Sequence, residues 1–132
     1  MIKRDYILRW TKELAKVIAR LLGKDPDLQL EIIREVYSDL LELEPDTLDP
    51  LPLEEIIPYL TRQKAYNEGQ LEFLAEILFR EGNLHLDQSQ IHTGRRRLQE
   101  ALLIFEFLDA RQDIYSLERQ HQMDAIRTTL DH

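Results

Sequence analysis

Apolar residues recur every three or four positions through most of this chain, the spacing that places side chains on one face of an α-helix. The first segment shows the pattern most clearly, in Ile7, Trp10, Leu14, Val17 and Leu21. A second apolar set runs beside it, consisting of Leu8, Ala15, Ile18, Ala19 and Leu22. We expect a helix with two apolar faces to be packed against other helices on two sides, rather than to lie on a membrane surface. No segment shows the sustained alternation of a β-strand, so the sequence predicts an all-α protein.

The ends of the first two helices are marked by residues with known conformational preferences. Gly23 is predicted to end the first helix, because glycine tolerates the left-handed conformation found there. Asp25 can cap a second helix whose first position is Pro26. The linker is so short that the two helices should form an antiparallel hairpin over about 3–44.

Prolines separate this hairpin from the rest of the chain. Residues 45–52 contain three of them and are predicted to form a stiff, extended connector. Residues 53–64 return to a helical pattern, in which Pro58 predicts a kink or two short pieces. Asn67, with Gln70 three residues later, is expected to cap the next helix.

The remainder of the chain predicts three longer helices. The helix capped at Asn67 should reach about Glu81 and be closed by Gly82, with a long loop over 83–94. Residues 95–109 form the most apolar pattern and are expected to be the central buried helix, followed by a last helix over 116–130. The prediction is therefore one domain, 1–132, of about six helices: the hairpin, the connector, and a helical half over 53–131.

The segment from Leu71 to Leu108 resembles a degenerate tetratricopeptide-type helix pair. The spacing of that repeat is matched in its first helix by Leu71, Leu74, Ala75, Leu78 and Gly82. Its second helix has a small residue and an aromatic four positions later, which Ala101 and Phe105 match. The resemblance implies a tetratricopeptide-like array in which the loop around His85–Gly94 would be an insertion.

Both ends of the chain also resemble a family of short bacterial helical proteins. The similarity lies in Met1–Arg9, in the Leu-Ala-Lys-Val-Ile-Ala-Arg-Leu-Leu-Gly that ends at Gly23, and in Tyr115–Arg119. It implies an all-helical, tetratricopeptide-like fold and assigns no activity.

Residues needed for common catalytic motifs are absent or badly spaced. There is no cysteine, which excludes thiolate chemistry and cysteine-ligated metal sites. The four glycines, at 23, 69, 82 and 94, are too far apart for a phosphate-binding loop, and no serine lies in a Gly-x-Ser-x-Gly elbow. We therefore expect neither an enzyme nor a cofactor.

A small helical enzyme or metal-binding protein is the alternative hypothesis, and it rests on the histidines. His85, Asp87 and His92 are close in sequence, and imidazole and carboxylate groups are ligands for divalent ions. Glu118 and His121 have the spacing used in helical di-iron sites, although no second such pair exists. We favour a solvated loop and a surface hydrogen bond for these residues, and expect no metal.

Charge is unevenly distributed along the chain, whose net charge is −8. Residues 1–24 carry seven basic and two acidic residues, a net +5, whereas residues 25–60 carry one basic and eleven acidic residues, a net −10. We expect the first two helices to present opposite charges to each other. The acidic neighbour would cancel much of the field that a phosphate backbone requires, so nucleic acid ranks last among the hypotheses.

The only basic run is Arg95, Arg96 and Arg97. Together with the basic first helix, it is the candidate site for anions or nucleic acid, but it lacks interleaved aromatic residues. The alternative is that these arginines pair with acids of the second helix.

The leading hypothesis is a non-enzymatic interaction or scaffolding module with a protein partner in the cytoplasm, because the helices have more apolar faces than one core needs. The candidate partner-binding face consists of Glu72, Glu76, Phe79 and Arg80, with packing against a neighbouring helix as the alternative. No segment is apolar for the length of a membrane span. An apolar face left uncovered on the first helix would favour a two-fold homodimer.

Overall fold

The computed structural model describes residues 2–112 and 116–132, and within these ranges the chain is helical and contains no β-strand. The α-helices are α1 (Ile2–Leu21), α2 (Pro26–Leu41), α3 (Leu53–Pro58), α4 (Glu68–Asp87), α5 (Ile91–Arg111) and α6 (Leu117–Leu130). The prediction of an all-α fold with about six helices is confirmed. None of the helices in the described ranges has the length and apolar character needed to cross a membrane.

The first turn of the chain forms as the sequence predicts. Gly23 adopts a left-handed φ of 78°, and the Asp25 side chain accepts a hydrogen bond of 2.9 Å from the backbone N–H of Leu28. Pro26 occupies the first position of α2, which turns back toward α1. Arg20 of α1 and Glu35 of α2 form an exposed ion pair of 3.3 Å, so the opposite charges of these helices do meet.

The proline-rich segment is less extended than predicted. Pro45–Thr47 forms a turn of 3-10 helix, and Leu48 after it is buried in the core. The segment therefore packs as part of the fold. Pro58 ends α3 as expected, and the chain continues as a π-helical turn over Tyr59–Gln63.

The prediction of a long loop over 83–94 is wrong. Helix α4 continues to Asp87, and α5 begins at Ile91 after a tight turn. Gly82 does not end a helix; it allows α4 and α5 to approach closely, since a Cβ there would lie 3.0 Å from the carbonyl oxygen of Gly94. A Cβ on Gly94 would likewise lie 2.9 Å from the carbonyl oxygen of Gly82. The segment that the tetratricopeptide resemblance treats as an insertion extends the two helices.

Helix α5 is central, as predicted, and packs against α3, α4 and α6. Its fully buried apolar side chains are Leu98, Ala101, Ile104, Phe105 and Leu108. Helix α1 packs mainly on α4, where Trp10 meets Phe73 edge-on with ring centroids 5.1 Å apart. The main contact of α1 is therefore with α4 and not with its hairpin partner.

Candidate functional site

An open cleft of about 510 Å³ lies between α1, α4 and the start of α6. Its apolar walls are formed by Ile7, Trp10 and Leu14 of α1 and by Phe73 of α4. The last residues of α5 close one end, and Ser116 begins the wall on the side of α6. The cleft has the size and apolar lining of sites that bind ligands or side chains of a partner.

The cleft exists because α1 and α6 approach α4 at different points. α1 approaches at Gly69, where a Cβ would lie 2.9 Å from the carbonyl oxygen of Tyr6 and 3.0 Å from Trp10. α6 approaches through Arg119, which meets Glu72. Because Gly69 has no side chain, α1 can lie close to α4 at this point, and this close approach positions Trp10 in the wall of the cleft.

The polar side of the cleft is dominated by Arg119, which is only 4% exposed. Its Nη2 donates to Gln112 Oε1 at 2.6 Å and to Glu72 Oε2 at 3.3 Å, while Nη1 lies 3.6 Å from Asp109. Its Nε and Nη1 have no hydrogen-bond partner within the described ranges. Burial raises the pKa of Glu72, and the charge of Arg119 opposes this rise.

A stripe of exposed apolar side chains on α1 adjoins the cleft. It consists of Leu8, Ala15 and Ala19 of α1 and of Leu22, which directly follows the helix; Leu8 is 53% and Leu22 78% exposed. Thr11, also exposed, lines the cleft and connects it to this apolar stripe. The expectation that other helices pack against both apolar faces of α1 is therefore wrong. Its second apolar face remains exposed at Leu8, Ala15, Ala19 and Leu22.

The predicted partner-binding face is largely covered by α6. Glu76 is only 5% exposed and accepts a hydrogen bond of 2.7 Å from Gln122 Nε2 of α6. Burial raises the pKa of Glu76 to about 7. Phe79 is half-buried against the core, and Arg80 is half-buried. Packing thus explains this face, and of the four residues only Glu72 lines the cleft.

Arg97, the last residue of the basic run, lies inside the protein in a network of charged groups. Its Nε donates to Glu81 Oε2 at 3.1 Å, and its Nη1 donates to Asp49 at 2.7 Å and to Glu100 at 3.0 Å. The Tyr37 hydroxyl donates to the other oxygen of Glu81 at 2.6 Å. Burial alone would raise the pKa of Glu81, but its hydrogen bonds and the charge of Arg97 hold it below the usual value.

The other two arginines also have internal partners. Arg96 donates to Glu100 Oε2 at 3.1 Å and to the carbonyl oxygens of Leu48 and Leu51, and Arg95 donates to the carbonyl oxygen of Leu130 at 2.8 Å. Arg96 and Arg97 do pair with acidic residues, as the alternative predicts. The acids, however, belong to the connector, α4 and α5, and not to the second helix. These contacts explain the basic run without an anionic ligand.

The histidine-containing segment belongs to the two long helices. His85 Nε2 lies 3.0 Å from Glu81 Oε2, and this hydrogen bond raises the pKa of His85. Asp87 and His92 are exposed, as are Glu118 and His121 of α6. Throughout 2–112 and 116–132, no three histidine or carboxylate side chains converge as a metal site would require.

No known protein family, curated protein or solved structure matches this chain. The resemblance to tetratricopeptide pairs and to the bacterial helical family therefore stays a prediction. Asp113, Ile114 and Tyr115 lie outside the described residues, and Tyr115 is one of the residues on which that resemblance depends.

Proposed function

We propose that the protein is a non-enzymatic interaction module that binds a segment of a partner protein in the cleft between α1, α4 and α6. The observation that carries the proposal is the cleft itself, about 510 Å³ with aromatic walls at Trp10 and Phe73. An apolar cleft that the fold leaves open favours association with a partner.

The extent of the surface supports a protein segment as the ligand. The cleft is continuous through Thr11 with the apolar stripe, which runs from Leu8 to Leu22. At 1.5 Å per residue, this stretch of α1 is about 21 Å long, which suits a peptide of several turns better than a small molecule.

Trp10 provides a direct measurement, because it is the only tryptophan and it lines the cleft. Peptides would be selected from a displayed random library against the full chain, and their binding followed by Trp10 fluorescence. Thr11→Arg places a long charged side chain at the mouth without touching the core, and should weaken binding about tenfold or more. Ser38→Arg, a similar change on the exposed face of α2, is the matched control and should have no effect.

Two results would contradict this proposal. One is a selection that yields no peptide that changes Trp10 fluorescence. The other is a set of binders whose affinity is the same for Thr11→Arg, Ser38→Arg and the wild-type chain, since these would bind elsewhere.

A further inference from the structure

We propose that the partner segment is an amphipathic helix with acidic residues along one flank, and that it lies on the apolar stripe of α1. This inference rests on the proposed function and specifies its partner. Charge complementarity carries it, together with the order of side chains around α1.

Successive residues of a helix are rotated by about 100°, which fixes the order of side chains around α1. Leu14 and Thr11 face the cleft, and Ala15 and Leu8 come next on the apolar stripe. Lys12 and Lys16 follow on the far side of the stripe and are exposed. A ligand lying along the middle of the stripe therefore has the apolar cleft on one side and Lys12 and Lys16 on the other, with Asp5 nearer the start of the helix.

The shape of the stripe favours a helix over an extended strand. Its central members, Ala15 and Ala19, are small and four residues apart, so the axis of a second helix can come close to that of α1. An extended peptide binds by pairing with a free backbone edge, and the backbone of a helix offers none. One flank of the bound helix would place an apolar side chain in the cleft beside Trp10.

Lys12 and Lys16, on the far side of the stripe, have few acidic partners in the described parts of the chain. In the described parts of the chain Lys12 has no ion pair, and Lys16 has only Glu13 of its own helix at 3.6 Å. Acidic residues on the ligand would meet these charges and set its orientation. A second copy of α1 would instead bring its own lysines against them. A membrane surface is a poorer fit, because the middle of the stripe is alanine and the exposed members include no aromatic residue.

The test uses a displayed library of amphipathic helices with a fixed apolar face and flank positions randomised among Glu, Lys and Gln. Selection on the wild-type chain should enrich Glu on one flank, and selection on K12E/K16E should enrich Lys there. A Glu-flanked binder should lose about tenfold in affinity for K12E/K16E. R34E/R62E, which makes the same change in charge at exposed residues away from the stripe, should leave the affinity unchanged.

The outcomes separate this inference from the proposed function. Binders that are sensitive to Thr11→Arg but show no preference for Glu would overturn the acidic helix and leave the cleft as the binding site. A selection without binders would overturn both.

Two further measurements exclude other occupants. Light scattering that gives twice the monomer mass of 15.7 kDa, reduced to the monomer by Ala15→Arg, would show that a second copy covers the stripe and overturn the inference. Vesicles of phosphatidylcholine with phosphatidylglycerol that retain the wild-type chain but not K12E/K16E would overturn it in favour of a membrane. A chain that stays monomeric and is not retained by these vesicles supports the acidic helix.

Discussion

Two arginines with the same burial, Arg97 and Arg119, lie in regions of opposite character. Each is 4% exposed. Arg97 contacts three carboxylates at 3.1 Å or less, whereas Arg119 has two nitrogen atoms without a hydrogen-bond partner in the described residues. The first region is a closed interior in which the charge network is satisfied. The second adjoins the open cleft and holds buried nitrogen atoms that have no hydrogen-bond partner within 2–112 and 116–132, which is unusual for buried polar groups.

The same contrast holds for the carboxylates. Glu81 keeps a low pKa because Tyr37, His85 and Arg97 surround it. Glu76, in contact with α6, has a pKa raised to about 7 by burial, with one hydrogen bond from Gln122. Helices α4 and α6 together hold the four buried side-chain atoms that lack a partner in the described chain: Arg80 Nε, Arg119 Nε, Arg119 Nη1 and Gln122 Oε1. We therefore expect the contact between α4 and α6 to contribute less to stability than the network around Arg97.

Removing each arginine in turn should produce the largest difference between the two regions. Arg97→Met leaves the buried Glu81 with only Tyr37 and His85 and the buried Glu100 with only Arg96, and should lower the free energy of unfolding by about 3–5 kcal/mol. Arg119→Met should lower it by only about 1 kcal/mol, because Glu72 and Asp109 are partly exposed and can be hydrated. Urea unfolding followed by circular dichroism measures both values.

The control for this pair is Arg127→Met, since Arg127 forms only exposed ion pairs with Glu106 and Asp124. It should change stability by less than about 0.5 kcal/mol. Equal losses for Arg97→Met and Arg119→Met would show that the two regions do not differ.

The second prediction uses pH and the raised pKa of Glu76. A carboxyl whose pKa is higher in the folded state stabilises the fold below its unfolded pKa, and this contribution is lost as pH rises through about 7. Glutamine at position 76 cannot ionise, so Glu76→Gln does not lose this stabilising contribution at high pH. Its amide nitrogen can also donate a hydrogen bond to Gln122 Oε1. It should raise the free energy of unfolding at pH 8 by about 1–3 kcal/mol, and far less at pH 5.

The measurement is the difference in unfolding free energy between Glu76→Gln and wild type from pH 5 to pH 8. Glu106→Gln is the control, because it makes the same change in charge at an exposed position. A constant difference for Glu76→Gln would mean that Glu76 is ionised in the fold throughout this range.

The third prediction concerns the glycine on which the cleft depends. Gly69→Ala places a Cβ 2.9 Å from the backbone of α1 at Tyr6, so α1 must move. It should lower the free energy of unfolding by about 1–2 kcal/mol and shift the emission of Trp10 to the red. Gly82→Ala is the comparison: its clash with Leu98 and Gly94 should lower stability similarly but leave Trp10 emission unchanged. A red shift in both variants would show that α1 responds to any loosening of the fold.

The sequence was sufficient where the deciding interactions are local. Asp25 and Asn67 cap helices as predicted, and the capping box of Asn67 with Gln70 is complete. The stripe that α1 buries follows from spacing alone. Helix caps and stripes depend on residues within one or two turns, so a single sequence contains the necessary information.

Features set by distant contacts could not be predicted in this way. Gly82 has the same local signature whether it ends a helix or lets a second helix approach, and only the position of Gly94 decides between the two. Arg97 lies 48 residues from Asp49, and no periodicity relates them. The cleft was missed for the same reason, because it depends on how α6 packs on α4.

The smallest effect is expected for the turn between α4 and α5, the two helices that carry Glu81 and Arg97. Ser89, between α4 and α5, has a left-handed φ of 62°, which strains any residue with a Cβ. Ser89→Gly should raise the free energy of unfolding by about 0.5 kcal/mol, because relief of strain slightly exceeds the entropy that glycine adds to the unfolded chain. The reverse exchange, Gly23→Ser at φ 78°, should lower it by about 1 kcal/mol. Thermal unfolding of both variants checks the signs. A lower free energy of unfolding for Ser89→Gly would mean that the serine side chain stabilises the turn through a polar contact.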